Sequence, residues 1–332
     1  MTRPTIEEVA AAAGVSRSTV SRVVNGSSSV SPEALAAVQD AISRLNYVPN
    51  RAARSLASRQ TNAIALVVPE DTTRFFGDPF FAAIVAGISA RLTRSDYVLN
   101  LLIASDDPGA KMTSFVRNGA VDGAIIVSHH TSDSFVDRIA EAVPVVFGGR
   151  PVQARPGDYV VDVDNVLGGR MAAQHLIDRG HRRIATVSGS LTMPAAVDRV
   201  QGFREALAGA GLQPAAEIDG GFTEEGGAEA ARRLLSGGAE LPDAIFVASD
   251  LMARGVLRVL RGAGVRVPDD VAMIGFDDSQ VAVAVDPALT TIRQPMYAQG
   301  EAMASVLLDV LAGRDAERVT ILPTELVVRA SA

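Results

Sequence analysis

The sequence predicts a small all-α unit followed by a large α/β core of doubly wound parallel sheets. Two observations carry this. Through the first 48 residues, apolar positions recur at helical spacing between capping signals. From Asn62 onward, short apolar runs alternate with amphipathic stretches, the pattern of parallel strands covered by helices on both faces. A chain of 332 residues, 48% hydrophobic and 21% charged, suits two or three compact units.

The helical unit can be read in order. Thr5-Ile6-Glu7-Glu8 forms a capping box, and Ile6, Val9, Ala10 and Ala13 share one face behind it. Gly14 ends this helix, Val15 plugs the core, and Ser16 is a good N-cap for a second helix running from Arg17 to about Asn25. Val20, Val23 and Val24 then face inward, with Arg17, Ser18, Ser21 and Arg22 outward. Ser31 caps a third helix that has Pro32 at its first position and an apolar stripe of Leu35, Val38, Ile42 and Leu45. Three short helices, the first two joined by a Gly-containing turn, make a helix-turn-helix. Pattern alone leaves two readings open, a generic bundle with a solvated polar face and a DNA reader. In a reader the second helix enters the major groove, where Arg17 and Arg22 suit guanine and Ser18 either kind of base edge.

Charge is unevenly divided. Seven arginines against Glu7, Glu8, Glu33 and Asp40 make residues 1–60 +3, which leaves −10 for the rest of a chain whose total is −7. A basic head on an acidic body is a common layout for a DNA reader attached to a sensing core, although +3 alone is within ordinary fluctuation.

In the core, strands are expected at Ala63–Val68, Tyr97–Ile103, Gly123–Val127, Val143–Phe147, Ile184–Val187, Ala244–Val247 and Val271–Ile274. Between them lie helices, one from Val200 with Phe203 and Leu207 inward, another carrying Met303, Val306, Leu307, Val310 and Leu311. Ligands of such sheets sit beyond the carboxyl ends of the strands.

Other classes find little support. There is no cysteine, which removes disulfides, thiolate metal sites and cysteine nucleophiles and fits a reducing compartment. No secretory signal or bilayer-spanning run is visible, so a cytoplasmic protein without membrane attachment is expected. The only lysine, Lys111, follows Ala110 rather than the glycine of a phosphate-binding loop. Dinucleotide, nucleophile-elbow and zinc-protease motifs are missing. His129, His130, His175 and His181 have no metal-ligand spacing and read as solvated or satisfied histidines. No enzyme activity, metal or cofactor is expected.

The residues from Thr5 to Ala57 resemble the LacI/GalR family of bacterial regulators almost position for position. AGVSRSTVSRVVN (Ala13 to Asn25) and LNYVPNRAARSLA (Leu45 to Ala57) are the most specific stretches, and the likeness continues with lower specificity to Arg329. The resemblance implies a helix-turn-helix domain at 1–48 and a hinge helix and linker at 49–61, following the turn at Tyr47-Val48-Pro49-Asn50. It also implies an effector-binding and dimerising core at 62–332. That core would have two lobes of the periplasmic-binding-protein type, lobe N about 62–162 plus 292–322 and lobe C about 163–291 plus 323–332. The chain would cross between them near Asp162, Thr291 and Leu322.

Functionally it implies a repressor of sugar-utilisation genes that binds a palindromic double-stranded operator as a homodimer. A small effector, a sugar or sugar derivative, would control it from the cleft. DNA contacts would come from Thr5, Ser16, Arg17, Ser18, Thr19, Ser21, Arg22, Asn25, Asn50 and Ala53, with Leu56 wedged into the minor groove. A dimer rather than a tetramer is expected, because no leucine heptads follow Pro323.

In the cleft, Arg199 and Asp277 match an arginine and an aspartate that bond sugar hydroxyls. Asp78 matches a position that is commonly Asn, and a helix N-cap is the alternative. Phe80 and Phe81 divide between lining and packing. Arg150 resembles an arginine used on polar ligands, or is a surface residue. Phe222 matches a stacking aromatic, or packs in the core. Asp250 contacts ligand or caps its helix. Ser249 stands where many members have a ligand-bonding Asn, Gly149 where some have Asp, and Met296 where some have an aromatic. Two alternatives stay open, a free-standing sugar-binding protein of a transport system and a corepressor-dependent regulator with a non-sugar effector.

Overall fold

A computed structural model describes residues 4–24, 29–47, 60–237 and 240–332. The chain forms two compact units, Met1–Thr61 and Asn62–Ala332. The expectations for Asn25, Asn50, Ala53, Leu56 and the hinge helix lie outside the described residues.

The first unit holds α1 (Ile6–Ala13), α2 (Arg17–Val24) and α3 (Pro32–Leu45). The capping box forms as the sequence requires: the Thr5 hydroxyl accepts from Glu8 N and the Glu8 carboxylate accepts from Thr5 N at 2.7 Å. Gly14 turns the chain at φ 67°, a left-handed conformation that costs glycine nothing. Val9, Ala10, Val20, Val38 and Ala41 form the buried centre. Leu35 departs from the expected stripe and is 39% exposed. α1 and α2 pack on α3 and bury Val38 and Ala41.

The second unit contains two six-stranded sheets. The first has the order β11-β5-β4-β3-β1-β2, built from β1 (Ala63–Val68), β2 (Val98–Ile103), β3 (Gly123–Val127), β4 (Val145–Gly148), β5 (Tyr159–Val163) and β11 (Val319–Leu322), all parallel. The second has the order β12-β10-β9-β8-β6-β7, built from β6 (Ile184–Ser188), β7 (Ala216–Asp219), β8 (Ala244–Val247), β9 (Ala272–Asp277), β10 (Thr290–Arg293) and β12 (Glu325–Val327); only the β10–β12 pair is antiparallel. Among the described residues ten α-helices complete the unit: α4 (Thr72–Gly77), α5 (Pro79–Leu92), α6 (Lys111–Arg117), α7 (Ser134–Ala140), α8 (Asn165–Asp178), α9 (Pro194–Gly209), α10 (Glu224–Ser236), α11 (Asp250–Gly262), α12 (Gln280–Ala284) and α13 (Met296–Leu311).

Alternation along β1 shows why the central strands read as unbroken apolar runs. Ile64, Leu66 and Val68 pack towards α5 and α13, while Ala63, Ala65 and Val67 pack towards α6 and α7. A parallel strand covered on both faces has no solvent side to mark with polar residues. In the second sheet Ile184, Phe246 and Ile274 face α8 and α9, and Val187, Ile245 and Met273 face α10 and α11.

Five strands, β5, β7, β10, β11 and β12, were not expected from sequence. β7, β11 and β12 are short edge strands, and β5 and β10 carry polar residues among their apolar ones. β9 runs three residues beyond Ile274, to Asp277, and α9 starts at Pro194 rather than Val200. The chain passes from the first sheet to the second between β5 and α8, returns between β10 and α13, and crosses again between β11 and β12. Strand order reverses beside β1 in one sheet and beside β6 in the other, which opens a crevice at the carboxyl ends of both.

Candidate functional site

In the first unit, α2 presents its polar face outward. At about 100° per residue, Arg17, Ser18, Ser21 and Arg22 fall within roughly 140° of arc. Arg17, Ser18 and Arg22 are exposed and Ser21 is half-buried. Arg17 makes one exposed ion pair with Glu7 at 3.2 Å, weak enough to be exchanged for a phosphate or a base. Arg22 has no partner among the described residues. Ser16 serves the start of the helix: its hydroxyl accepts from Thr19 N at 3.1 Å and lies 2.8 Å from Ser18 Oγ and 2.9 Å from Thr19 Oγ1. The Thr5 hydroxyl is likewise engaged, in the capping box. The exposed cations and Ser18 therefore share one outward edge of α2, while Ser16 and Thr19 are engaged at its start and Thr5 caps α1.

In the second unit, a cavity lies between the carboxyl ends of the two sheets. Asp78, Phe80, Phe81, Arg199, Phe222, Ser249 and Asp277, together with Gly149, all line it. The sheets bring together residues up to 199 positions apart in sequence because each sits just beyond a strand or at a helix start facing the crevice.

Arg199 is the centre of the cavity's charge. It is 4% exposed, donating from Nε to Asn165 Oδ1 at 2.9 Å and from Nη1 to Ala248 O at 2.6 Å. Its guanidinium lies 3.5 Å from the centroid of the Phe276 ring and 3.8 Å from Asp277 Oδ1. Burial pulls the guanidinium below its ordinary range, against the charges of Asp277, Asp162, Asp250 and Asp78. Two glycines allow this placement. A Cβ on Gly169 would meet Arg199 O at 2.1 Å, and one on Gly202 would meet Val166 O at 1.9 Å, so α8 and α9 cross backbone against backbone.

Asp277 ends β9 at φ 112° and accepts from Gln294 Nε2 at 2.5 Å. Burial pushes its carboxyl well above the usual range, with Arg199 opposing. Asp78 is both things the sequence allowed: it lines the cavity and caps α5, accepting from Phe80 N at 3.0 Å. Burial raises its carboxyl too. Phe81 packs at 2% exposure while Phe80 is half-buried, and both reach the cavity. Phe222 has its ring 5.7 Å from the Arg199 guanidinium and 5.6 Å from that of Arg74.

Two expected residues sit elsewhere. Arg150 is outside the cavity lining; its side chain is half-exposed and grips Asp198 with Nη2 at 2.7 Å and Nε at 3.2 Å. Asp250 is fully buried behind the wall, accepting from Ser279 N at 2.8 Å and from the Thr291 hydroxyl at 2.7 Å. The cap of α11 is Ser249, not Asp250. Burial pushes Asp250 up to about 7. Met296 is buried and does not line the cavity.

Sequence reasoning did not single out Arg74, Asp162, Asn165, Met193, Gln294 or Gln299 as lining residues. For Asp162 and Gln294 a signal existed, since both stand where the chain leaves one sheet for the other. Asp162 receives Val163 N at 2.7 Å, Arg150 N at 2.8 Å and Asn165 Nδ2 at 3.1 Å, tying that crossing together. Of the two readings for the histidines, solvated or satisfied, His130 agrees with the second and His129 is not solvated. His129 is 5% exposed, burial pulls it down to about 4, and His130 bonds Glu70 and Thr192. Among the described residues no cluster of His, Asp and Glu could hold a metal, and no helix is long and apolar enough to cross a membrane.

Comparison with known proteins agrees with both halves. Residues 5–50 match the model of the bacterial regulatory proteins of the lacI family, and residues 173–332 match that of the periplasmic binding protein-like domain. The HTH-type transcriptional regulator CelR of Thermobifida fusca is 45% identical over 338 aligned positions, covering 99% of this chain and 98% of CelR. Among solved structures, a transcriptional regulator CelR–cellobiose complex superposes with a TM-score of 0.78 at 42% identity, covering 99% of this chain and 100% of the other. The lac repressor dimer bound to operator and the anti-inducer ONPF gives a TM-score of 0.86 at 30% identity, with 99% of each chain covered.

Proposed function

This chain belongs to the LacI family of bacterial regulatory proteins, and on that premise we propose that it is a sugar-responsive repressor of sugar-utilisation genes, binding a palindromic operator as a homodimer. The observation that carries the DNA half is the exposed row Arg17, Ser18 and Arg22 on α2 of a helix-turn-helix unit. One such unit reads half a site, so a two-fold operator calls for two chains, as in the lac repressor dimer on its operator.

The effector half rests on the cavity. A sugar has polar edges, where each hydroxyl both donates and accepts, and apolar C–H faces. The lining offers matching groups: carboxyls at Asp78, Asp162 and Asp277, a guanidinium at Arg199, and aromatic walls at Phe80, Phe81 and Phe222. We take the effector class to be that of the cellobiose held by CelR, a neutral sugar of one or two rings.

Control follows from the topology. Three crossings join the two sheets, and the cavity draws its walls from both, so a bound sugar favours one lobe arrangement over others. Its influence on DNA affinity equals its differential affinity for those arrangements.

The test has two arms. Selection of DNA sequences by the full chain should yield a palindrome, and thermal shift against neutral sugars should yield a stabilising ligand. Binding to random DNA as tight as to the selected sequence at fixed salt would sink the first half. Stabilisation by no sugar would sink the second.

A further inference from the structure

The wall of the cavity supplied by the first sheet's helices has two polar side chains with unused hydrogen-bonding capacity. Arg74, on α4, is 11% exposed at its side chain. Its Nη1 meets Glu70 Oε1 at 2.7 Å, its Nη2 has only the weakly accepting thioether of Met193 at 3.8 Å, and its Nε is buried with no partner. Gln299, on α13, is 4% exposed; its Nε2 donates to Val161 O at 3.2 Å and its Oε1 is buried with no partner. Buried polar atoms of this kind are uncommon, because each forgoes its bond to water without replacement. Here one is a donor, the other an acceptor, and both residues line one cavity.

We propose that Arg74 and Gln299 read the sugar's hydroxyls, Arg74 as donor and Gln299 as acceptor, and that they restrict the effector to neutral sugars. This rests on the sugar-effector reading above and deepens it. A hydroxyl meets both needs, accepting from Arg74 and donating to Gln299. Neutrality follows from the charges present. Glu70 already faces the Arg74 cation at 2.7 Å, and Asp277 lies beside Arg199 at 3.8 Å. A phosphate or carboxylate on the ligand would find both cations already facing side-chain oxygens of this chain.

The test uses the full chain and titration calorimetry with cellobiose, glucose and glucose 6-phosphate. The best neutral binder is then repeated as a set of single-deoxy analogues. Arg74→Met and Arg74→Gln should each weaken the neutral sugar about tenfold or more, and Gln299→Leu by about threefold to tenfold. At least one deoxy analogue should lose affinity with the wild-type chain and lose nothing further with a variant, because the partner of the missing hydroxyl is already gone. A merely structural role would give losses that add for every analogue. Unchanged affinity in folded variants, additive losses throughout, or tighter binding of glucose 6-phosphate than of glucose would each overturn the proposal while leaving the sugar-effector reading standing. Failure of the wild-type chain to bind either neutral sugar would overturn both.

Discussion

His130 Nδ1 lies 2.7 Å from the Thr192 hydroxyl, joining the loop after β3 in the first sheet to the loop after β6 in the second. Beside it, Thr131 N donates to Thr192 O at 3.0 Å. On its other ring nitrogen His130 meets Glu70 Oε1 at 2.9 Å, and the same oxygen accepts from Ser128 at 2.6 Å and from Arg74. The Arg150–Asp198 pair spans the same boundary, since Arg150 follows β4 and Asp198 lies on α9. The two lobes are thus latched in the arrangement seen, next to the cavity they enclose.

Loosening this latch should cost effector affinity. Thr192→Val removes the hydroxyl that meets His130, and Asp198→Asn removes a charge whose partner is half-exposed, so each should raise the sugar's Kd by only about twofold to tenfold. The cause is a smaller population of the binding-competent arrangement. Titration calorimetry checks this; wild-type affinity in both variants would show that the contacts do not bias closure.

Asp277→Asn should abolish most sugar affinity and spare the fold. Burial favours the uncharged form of this carboxyl while the cavity is empty, so a neutral isostere is tolerated, yet the amide cannot ionise beside Arg199 to accept from a sugar hydroxyl. A loss of about tenfold to a hundredfold is expected, with melting temperature little changed. Arg199→Met is the contrasting case: it leaves Asp277 and the Asn165 carbonyl without their cation and should lower the melting temperature by several degrees. Equal sugar affinity in Asp277→Asn and wild type would remove Asp277 from the site.

Stability should fall between about pH 4 and pH 7 through Asp250. Its folded value, about 7, lies above its ordinary 3.8, so the folded chain holds a proton that the unfolded chain has released. Stability contributed by that proton is complete below the ordinary value and is lost as pH rises through the folded one. His129 works in the opposite direction between about 4 and 6.5, where only the unfolded chain binds its proton. Above pH 6.5 the His129 contribution is complete, which leaves Asp250 and the likewise raised Asp277 to set the slope. Melting curves above pH 6.5 should slope downward for wild type and be flatter for Asp250→Asn; parallel slopes would contradict the assignment.

The fold was legible where burial leaves an unmixed signal. Ala63–Val68 and Gly123–Val127 are covered on both faces and read as strands with correct ends. Tyr159–Val163 and Thr290–Arg293 were illegible because the polar residues they carry, Asp162, Thr290 and Thr291, serve the crossings and the buried network rather than the apolar layers. The same contrast runs through the cavity. Arg199 and Asp277 stand in stretches that resemble a known family. Arg74 and Gln299 lie 225 positions apart with no motif between them, and only the packing of α4 and α13 around one crevice brings them to the same wall. Arg150 shows the reverse: of the two readings its position allows, its half-exposed side chain, turned to Asp198, agrees with the surface one.

On DNA, Arg17→Ala and Arg22→Ala should each cost about 1–3 kcal/mol on the selected operator, with a much smaller loss on random sequence. Leu56, which lies outside the described residues, is expected from sequence to act as a minor-groove wedge, so Leu56→Ala should also weaken operator binding more than random binding. Fluorescence anisotropy at one fixed salt concentration separates the two, since phosphate contacts weaken both alike. Equal losses on operator and random DNA would assign these residues to backbone contact.

The most direct measurement is operator affinity of the full chain by anisotropy, with and without a saturating amount of a neutral sugar shown by calorimetry to bind the core. A change in operator Kd of about fivefold or more is expected, with affinity for random DNA unaltered. A sugar that binds the core and leaves operator affinity unchanged would contradict the coupling of cavity to reader on which the proposed function depends.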